Sequence, residues 1–504
     1  MLNFALIKTR CVQGITAESV AVEVHISSGL PQFSIVGLPE TAIKESKDRV
    51  RSAILNSNFD FPYRRITVNL APAELPKTGS GHDLAIAIGI LAASQQIPPF
   101  KLSEHEFVGE LALDGQLRAV SSIIPMVIAA KNDKKKLIIA KANALEAAIT
   151  ELDNVLCAKS LCEICNYLCQ DTPLKPLPEC SQPKDQQASS IDWSDIKGQM
   201  HAKFALEIAA CGGHSVLMFG PPGSGKTMLA QRFITILPDL TNQEALEVST
   251  LYSLKGKGPL FTSWKRPPLR SPHHTSSTIA MVGGGNPPKP GEISLAHNGV
   301  LFLDELPEFQ RHTLESLREP LESGNVHVAR AAMQVTFPAK FQLIGAMNPC
   351  PCGQWGNKAA NCSCTPDRIQ RYLAKLSAPL LERIDMHLNV EPIPFQTLIA
   401  PLSDNKENLS RSIRERTALL RSKQLKRQNC LNAALNVKQC EKVSKLQDAE
   451  LAFLHRTMAS LNLSARSYHR ILKVARSVAD YNDNLNVTIA DIKQALAFKQ
   501  SLRN

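Results

Sequence analysis

The sequence of 504 residues has 57 Lys and Arg against 46 Asp and Glu, a net charge of +11, and 44% of its residues are hydrophobic. This length exceeds what one hydrophobic core supports, so we expect about three domains. The longest apolar run, residues 84–93, covers about half of a bilayer, and the N-terminus has no basic flank before an apolar core. We therefore expect no membrane span, no signal peptide and a cytoplasmic location.

The positive charge is concentrated near the C-terminus. Residues 396–504 hold nine Lys and ten Arg against nine Asp and Glu, whereas the rest of the chain is nearly neutral. This asymmetry indicates a polyanionic partner, although exposed helices are also often rich in Lys and Arg for solubility alone. The 13 cysteines, in a chain without an export signal, favour free thiols or a metal site over disulfides.

Residues 1–170 mix strand and helix patterns. Residues 20–26 and 66–70 alternate as half-buried strands do, residues 41–55 have helical spacing, and an apolar helix is predicted from Leu84.

The segment 76–83, the apolar helix after it and the segment 108–115 resemble the proteolytic domain of Lon-type proteases, a ribosomal S5-type α+β fold. The Lon family places its serine nucleophile where Gly81 stands here, and its lysine base at the segment 121–124, which ends in Ile124. Without a nucleophile and an activating base there is no acyl-enzyme chemistry. The resemblance therefore implies a Lon-like domain that is catalytically inactive.

Residues 171–190 are rich in Pro, Gln, Ser and Lys and are interpreted as an interdomain linker. Five cysteines lie in or just before it: Cys157, Cys162, Cys165, Cys169 and Cys180. Three of them have helical spacing beside leucines, which favours core packing over metal ligation.

A phosphate-binding loop is predicted at 220–227, where the spacing is Gly, four residues, Gly-Lys-Thr. It follows an apolar strand at 215–219 and precedes a helix at 228–233. Glycines let successive N–H groups face one point, and Lys226 adds a fixed charge there. The residues predicted to surround the ATP phosphates are Gly220, Pro221, Pro222, Gly223, Ser224, Gly225, Lys226, Thr227 and Met228.

A second apolar strand, 299–303, ends in Asp304 and Glu305. Mg²⁺ requires oxygen ligands close to the phosphates, which Asp304 and the Thr227 hydroxyl supply. Glu305 is the candidate for polarising the attacking water.

A third strand, 341–347, ends at Asn348, whose amide either orients water near the γ-phosphate or only turns the chain before the next proline. These apolar strands predict a parallel, helix-covered sheet. A Gly/Pro-rich excursion at 281–290 and a hairpin at 326–337 interrupt it.

Four cysteines, in two Cys-x-Cys pairs, bracket a nine-residue loop: Cys350, Cys352, Cys362 and Cys364. Four thiolates can close a tetrahedral Zn²⁺ site of structural type, and free or redox-active thiols are the alternative. Residues 191–395 thus form a nucleotide module, and 396–504 a basic helical domain. In the latter, Ile471, Val474, Ala475 and Val478 predict one apolar stripe.

Several separate motifs resemble, in order, the magnesium chelatase-like AAA+ proteins of the ComM/YifB family. The matching segments are 195–199, 220–227, 270–274, 291–299, 348–349 and 380–385. The resemblance covers essentially the whole chain and implies a P-loop AAA+ ATPase with a C-terminal helical lid. It further implies a hexameric, ATP-driven DNA helicase that promotes branch migration during homologous recombination and integration of transforming DNA, with recombination proteins as possible partners.

The resemblance also assigns roles to residues. Lys226 and Thr227 hold phosphate and Mg²⁺, Asp304 and Glu305 are the Walker B pair, Asn348 is sensor 1, Arg383 is an arginine finger for the neighbouring subunit, and Arg466 is sensor 2 with Arg470 as the alternative. Arg330, in the hairpin, either contacts the DNA backbone or is an ordinary surface arginine. Two other classes are weighed: the motor subunit of a metal chelatase or another protein-remodelling complex, and an ATP-dependent protease.

Overall fold

The computed structural model describes residues 3–37, 43, 45–77, 79–170, 172–178, 191–256, 264–330, 333–356, 361–394, 396–397, 409–461 and 463–499. Most of the predicted linker, residues 171 and 179–190 with Cys180, lies outside these ranges. We call residues 3–178 the N-terminal unit, 191–394 the central unit and 409–499 the C-terminal helices.

The N-terminal unit is built on an eight-stranded sheet. The strands of the whole unit, including β6 and β7 outside this sheet, are β1 (Phe4–Gln13), β2 (Thr16–Ser27), β3 (Gln32–Val36), β4 (Arg65–Ala71), β5 (His105–Val108), β6 (Glu110–Leu111), β7 (Leu117–Arg118), β8 (Lys136–Ala140), β9 (Val155–Ala158) and β10 (Lys175–Pro176). Its helices are α1 (Ser46–Asn56), α2 (Asp83–Ala93), α3 (Ile123–Asn132), α4 (Ala144–Ala148) and α5 (Leu161–Gln170).

The sheet runs in the order β10-β9-β8-β5-β1-β2-β4-β3, and β6 and β7 form a separate pair. The predicted strands near residues 20–26 and 66–70 are confirmed as β2 and β4. Helix α2 is apolar on all sides because it packs between neighbours, and all of its residues except Ala92 are buried. Helix α5 carries three of the five cysteines that lie in or just before the predicted linker. Cys165 is buried, as core packing requires, whereas Cys162 and Cys169 are exposed.

The central unit contains a parallel five-stranded sheet in the order β12-β15-β18-β11-β19. Its strands are β11 (Val216–Phe219), β12 (Leu269–Arg270), β13 (Gly283–Gly284), β14 (Lys289–Pro290), β15 (Val300–Leu303), β16 (Asn325–Arg330), β17 (Met333–Pro338), β18 (Gln342–Met347) and β19 (Met386–Asn389). Its helices are α6 (Met200–Gly212), α7 (Lys226–Phe233), α8 (Asn242–Leu254), α9 (Thr278–Val282), α10 (Glu292–Leu295), α11 (Arg311–Glu315), α12 (Arg318–Ser323), α13 (Pro366–Leu373) and α14 (Ala378–Leu381).

Both faces of this sheet are covered, which explains why its strands are continuously apolar. In β11, Val216 and Met218 point into one hydrophobic core while Leu217 points into another. The three strands predicted from apolar runs are therefore confirmed. Because the sheet is parallel, the residues that follow β11, β15 and β18 meet at one edge.

The C-terminal helices are α15 (Leu409–Gln428), α16 (Val437–Ser444), α17 (Asp448–Ser460), α18 (Ala465–Tyr481) and α19 (Ile489–Ala497). The predicted apolar stripe on α18 is confirmed, since Ile471, Val474, Ala475 and Val478 are all buried. They share one hydrophobic core with α6 and β11. Helix α18 thus packs on α6, the helix that precedes the strand leading into the phosphate loop.

The N-terminal and central units also contact each other. Ser253 in α8 donates to Glu146 in α4 at 2.5 Å, and burial raises the pKa of that carboxyl group. Within the described ranges, no helix has the length and apolar character needed to cross a bilayer.

Candidate nucleotide-binding site

The phosphate loop joins β11 to α7 at the carboxyl edge of the central sheet. Helix α7 begins at Lys226, and Gly225 before it has a left-handed backbone with φ of 91°. A Cβ at Gly225 would meet no atom of the described residues within 4 Å apart from its chain neighbours, so the backbone angle rather than crowding requires glycine. The first N–H groups of a helix lack partners within it and carry partial positive charge, which suits phosphate oxygens.

Lys226 reaches back across this loop. Its ammonium lies 2.9 Å from the carbonyl oxygens of Gly220 and Pro221 and 3.3 Å from Oδ1 of Asn348. Burial lowers the pKa of this ammonium, and the negative charge of Asp304 acts in the opposite direction. The predicted sensor residue therefore lies within reach of the predicted phosphate-binding lysine, although they are far apart in sequence.

The two predicted Mg²⁺ ligands also converge. Thr227 Oγ1 donates to Asp304 Oδ2 at 2.7 Å, which brings the start of α7 to the end of β15. The other oxygen of Asp304 accepts the backbone N–H of Glu305 at 2.9 Å. A hydroxyl and a carboxylate side by side are hard oxygen donors of the kind that Mg²⁺ prefers, so these residues fit that ion.

Glu305 points away from this pair. Its backbone is left-handed, with φ of 51°, and its Oε2 lies 3.3 Å from Nδ1 of His274. The His274 ring packs against the rings of His273 and Phe309, at centroid distances of 4.1 and 6.5 Å. The candidate water-activating carboxylate thus lies beside a histidine to which the sequence interpretation gave no role.

A cavity of about 380 Å³ opens beside the phosphate loop, between the start of α6 and the segment that follows β19. Gln199 lines it and ties both sides together, since its amide donates to the carbonyl oxygens of Ser224 at 3.1 Å and Glu391 at 2.6 Å. The cavity adjoins the place where the phosphates are predicted to bind.

The sulfur atoms of Cys350, Cys352, Cys362 and Cys364 all lie within 4.8 Å of one another. Three of their separations are 3.3, 3.5 and 3.7 Å, far longer than the disulfide bond of about 2.05 Å. In a tetrahedral zinc site with Zn–S bonds of about 2.3 Å, sulfurs lie about 3.8 Å apart. The four side chains therefore fit Zn²⁺.

This four-cysteine centre touches the phosphate loop. Cys350 is fully buried and comes two residues after Asn348. Gly353, with φ of 79°, approaches Pro222 so closely that a Cβ would lie 2.6 Å from Cδ of the proline. The centre is therefore in position to support both the phosphate loop and Asn348.

Arg383, the predicted finger, is paired within its own chain. It is 9% exposed, its Nη2 lies 2.7 Å from Oε1 of Glu322, and its Nη1 donates to the Pro379 carbonyl oxygen at 2.7 Å. Its buried Nε has no hydrogen-bond partner among the described residues.

The two arginines considered for sensor 2 have different environments. Arg470 pairs with Asp385 and donates to the carbonyl oxygen of Arg383 at 2.7 Å. Burial alone would raise the pKa of Asp385, but its hydrogen bond with His214 and the charge of Arg470 lower it. Arg466 is 66% exposed, and its Nη1 lies 3.6 Å from Oε2 of Glu382. Arg470 is thus tied into the protein, whereas Arg466 is the more accessible of the two.

The predicted hairpin is confirmed as β16 and β17, which pair from Asn325↔Pro338 to Arg330↔Met333. Arg330 ends β16, but its side chain lies outside the described part, and so does the predicted DNA contact. The hairpin packs against the N-terminal unit, since a Cβ at Gly14 would lie 2.9 Å from Cγ1 of Val335.

Most basic side chains of α15 have partners inside the chain. These pairs are Arg411 with Glu415, Arg414 with the Thr235 carbonyl, Arg416 with the Tyr481 ring, Arg421 with the Ala210 carbonyl, Lys423 with Asp483 and Arg427 with Asp480. Most of the positive charge on this helix is therefore paired within the chain, and the pairs of Arg411 and Lys423 lie at the surface.

The sequence interpretation missed four residues at or near this site: Gln199, His274, Glu322 and Gly353. Gln199 and His274 lie in segments that resemble the family, but the sequence interpretation assigned no role to either residue. Glu322 and Gly353 carry no local signal, because only the folded chain brings them to Arg383 and Pro222.

Three family models match this chain, all describing subunit ChlI of magnesium chelatase, at residues 22–143, 192–398 and, for the C-terminal part, 407–499. The chain is 46% identical over its whole length to the competence protein ComM of Haemophilus influenzae, 98% of which is covered. It is 45% identical to the protein YifB of Escherichia coli, described as uncharacterised, over 99% of this chain and 97% of that one. It is also 28% identical to Lon protease 2 of Bacillus subtilis, over 34% of this chain and 35% of the protease. The predicted fold class, a Lon-like α+β region fused to a AAA+ module and a helical C-terminal region, is confirmed.

Proposed function

Since this chain belongs to the magnesium chelatase-like ComM/YifB family of AAA+ proteins, we propose that it is an ATP-driven DNA motor that promotes branch migration during recombination. The observation that carries the proposal is the convergence of Lys226, Thr227, Asp304 and Asn348 at one edge of the sheet. The likeness to a competence protein over the whole chain supports DNA as the substrate. Single-stranded and branched DNA are the proposed partners.

The proposed hydrolysis assigns each group one task. Backbone N–H groups of the phosphate loop and Lys226 would hold the phosphates, and Thr227 and Asp304 would hold Mg²⁺, which would supply positive charge to neutralise the phosphate oxygens. Glu305 accepts a proton from the attacking water, which Asn348 orients. The cavity beside Gln199 is of a size suited to the nucleobase.

The ring is proposed from the position of Arg383. Charge that develops on the γ-phosphoryl oxygens requires a further cation, and an arginine from a neighbouring subunit can supply it. In its own chain Arg383 is paired with Glu322, which is 51% exposed. In a hexameric ring, Arg383 would leave the carboxylate of Glu322 and bind a phosphate in the neighbouring subunit's site. ATP hydrolysis would therefore depend on assembly. Arg466 is accessible enough to complete the site as sensor 2.

DNA contact is proposed for the β16–β17 hairpin, with Arg330 binding the backbone without reading sequence. This choice is supported by the engagement of the α15 cations within the chain. The N-terminal unit, which touches the hairpin near Gly14, is proposed to support it during translocation. Its Gly81 faces Val108 and Val120, an apolar setting that agrees with a role other than peptide hydrolysis.

A structural Zn²⁺ is proposed for the four-cysteine centre. All four coordination positions would be filled by thiolates, which leaves none open for catalysis. Gly353, in the loop between the cysteines, contacts Pro222, so the metal would stabilise a loop that supports the nucleotide site.

A second candidate is a motor that remodels a partner protein, as a metal chelatase subunit would. It is favoured by the three family models that describe subunit ChlI. The two functions differ in what accelerates ATP turnover: single-stranded DNA for the first, and a protein partner for the second.

The test is branch migration of a synthetic four-way junction labelled on one arm, followed on native gels with ATP and Mg²⁺. We expect ATP-dependent conversion by the parent protein and none by Lys226→Ala. ATP hydrolysis that neither single-stranded nor branched DNA stimulates, together with no conversion of the junction, would exclude a DNA motor.

A further inference from the structure

The side chain and the backbone of Arg383 are held by different parts of the chain. The guanidinium is held within the central unit, where it lies 2.7 Å from the carboxylate of Glu322 and donates to the carbonyl oxygen of Pro379 at 2.7 Å. The main-chain carbonyl oxygen of Arg383 instead accepts a hydrogen bond from Nη1 of Arg470 in α18 at 2.7 Å. The C-terminal helices therefore hold the backbone from which this arginine extends.

Lys499 supplies a second cation to the same stretch of backbone. It lies two residues after the end of α19, and its Nζ donates at 2.7 Å to the carbonyl oxygen of Ile384, the residue that follows Arg383. Two successive carbonyl groups thus each accept a hydrogen bond from a cation of the C-terminal helices. Hydrogen bonds from charged donors are stronger than those between neutral groups, so this backbone is firmly held.

The main chain around Lys499 is docked independently of its ammonium group. The N–H of His387 in β19 donates to the carbonyl oxygen of Phe498 at 2.7 Å, and His387 and Lys499 form a parallel bridge. Phe498 is buried in the hydrophobic core that α6 and α18 share. The ammonium itself lies 3.4 Å from Nε2 of His387. Removing only the ammonium should therefore leave this segment in place.

The ammonium of Lys499 also lies among the charged groups that surround Arg383. Burial lowers the pKa of Lys499 to about 8, and the charge of Arg470 acts in the same direction. The carboxylates of Asp385 and Glu382 oppose that change. Both carboxylates lie within two residues of Arg383, so the lysine is inserted into the loop that carries this arginine.

We propose that Lys499 is a positioning residue, whose hydrogen bond to the Ile384 carbonyl fixes the backbone from which Arg383 reaches the ATP site of the neighbouring subunit. The inference rests on the proposed function, in which Arg383 acts between subunits of a ring. Lys499 does not contact nucleotide in this arrangement. Its loss would therefore impair the neighbouring subunit's site and leave its own site intact.

Two substitutions separate the hydrogen-bond donor from the length of the side chain. Lys499→Met keeps an unbranched side chain but has no donor, whereas Lys499→Arg keeps a cation that can donate to the Ile384 carbonyl. The matched control is Lys493→Met, which removes one positive charge from an exposed position of α19. The Nζ of Lys493 lies 5.7 Å from the centre of the Phe453 ring.

The first measurements are steady-state ATP hydrolysis, titration with a fluorescent ATP analogue, thermal unfolding and size-exclusion chromatography. We expect Lys499→Met to fold, form rings and bind the analogue normally, with an unchanged KM for ATP. Its kcat should fall by about 10- to 100-fold, because a displacement of about 1 Å at a catalytic group has an effect of this size. Lys499→Arg should recover most of the turnover, and Lys493→Met should match the parent protein. A parent-like kcat of Lys499→Met would overturn the proposal, and so would an equal loss in Lys499→Arg.

Mixed rings test whether the defect acts on the neighbouring subunit. Lys499→Met subunits keep an intact phosphate loop, and Lys226→Ala subunits, which are inactive alone, keep both Lys499 and Arg383. Coexpression of the two variants should restore ATP hydrolysis, because a Lys226→Ala neighbour presents a correctly placed arginine to a Lys499→Met site. Coexpression of Arg383→Ala with Lys226→Ala is the reference and should restore hydrolysis to a similar extent. Recovery in the reference without recovery for Lys499→Met would refute the proposal, because the defect would then lie in the subunit's own site.

A double variant separates this inference from the proposed function. In an Arg383→Ala background, the additional Lys499→Met change should not lower turnover further, and a further loss would contradict action through Arg383. If the reference mixture stays inactive, the proposed role of Arg383 between subunits fails, whereas the double variant still decides whether Lys499 acts through Arg383. None of these assays contains DNA, so a failure of the proposed DNA function would be seen separately in the junction assay.

Discussion

Replacing Gly353 by alanine should impair ATP use from outside the phosphate loop. The added Cβ would lie 2.6 Å from Cδ and 3.2 Å from Cγ of Pro222. Non-bonded carbon atoms pack at about 3.5–4.0 Å, so one of the two loops must move by about 1 Å. Gly353 is restrained by the four-cysteine centre, so we expect Pro222 to be the residue that moves.

The size of the effect follows from two separate contributions. A left-handed backbone costs a non-glycine residue about 1–2 kcal/mol, which lowers stability but not the intrinsic rate. A displacement of about 1 Å at a catalytic site can reduce turnover by about 100-fold. We therefore expect kcat/KM for ATP to fall by about 10- to 100-fold in Gly353→Ala.

Gly356→Ala is the matched control, because Gly356 has φ of 78°, close to the 79° of Gly353, and no atom of the described residues beyond its chain neighbours lies within 4 Å of its Cβ position. Both variants bear the same backbone strain, and only one presses on Pro222. The assays are steady-state ATP hydrolysis, titration with a fluorescent ATP analogue and zinc content. Equal kcat/KM values for the two variants would refute the coupling between the loops.

Three further predictions concern the site and its support. Glu305→Gln should bind an ATP analogue normally and lose at least about 100-fold in turnover; normal turnover would remove it as the water activator. Arg383→Ala should bind nucleotide and form rings, as seen by size-exclusion chromatography, yet hydrolyse ATP at least about 1,000-fold more slowly. Asp385→Asn breaks the buried pairs with His214 and Arg470 and should lower Tm at pH 7 by roughly 10 °C. Because the folded pKa of Asp385 is lowered, the stability that Asp385 contributes is fully present above its unfolded pKa of about 3.9 and is lost as pH falls through the folded pKa. A Tm difference between the parent protein and Asp385→Asn that does not shrink in acid would contradict this.

Local sequence was enough to predict the strands and the phosphate loop. An apolar run such as 215–219 followed by the spacing of 220–227 constrains both the backbone and the ligand chemistry, because few other arrangements satisfy both. The pairing of the cysteines also pointed to a common centre, and in the structure the four sulfur atoms lie within 4.8 Å of one another. Charge counts were a weaker guide, since most of the α15 cations have partners that are distant in sequence.

The sequence by itself determined that this protein holds a phosphate loop, two acids after a second strand and an amide after a third. Each is a short-range pattern that depends on neighbouring residues. Only the tertiary structure decided that the parallel strand order sets His274 against Glu305, that Glu322 covers Arg383, and that Gly353 presses on Pro222. These contacts join residues that are far apart in the chain, and no local pattern records them. The first and third arise because parallel strands end at one edge of a sheet, and the second because helix α12 packs beside the segment that precedes β19.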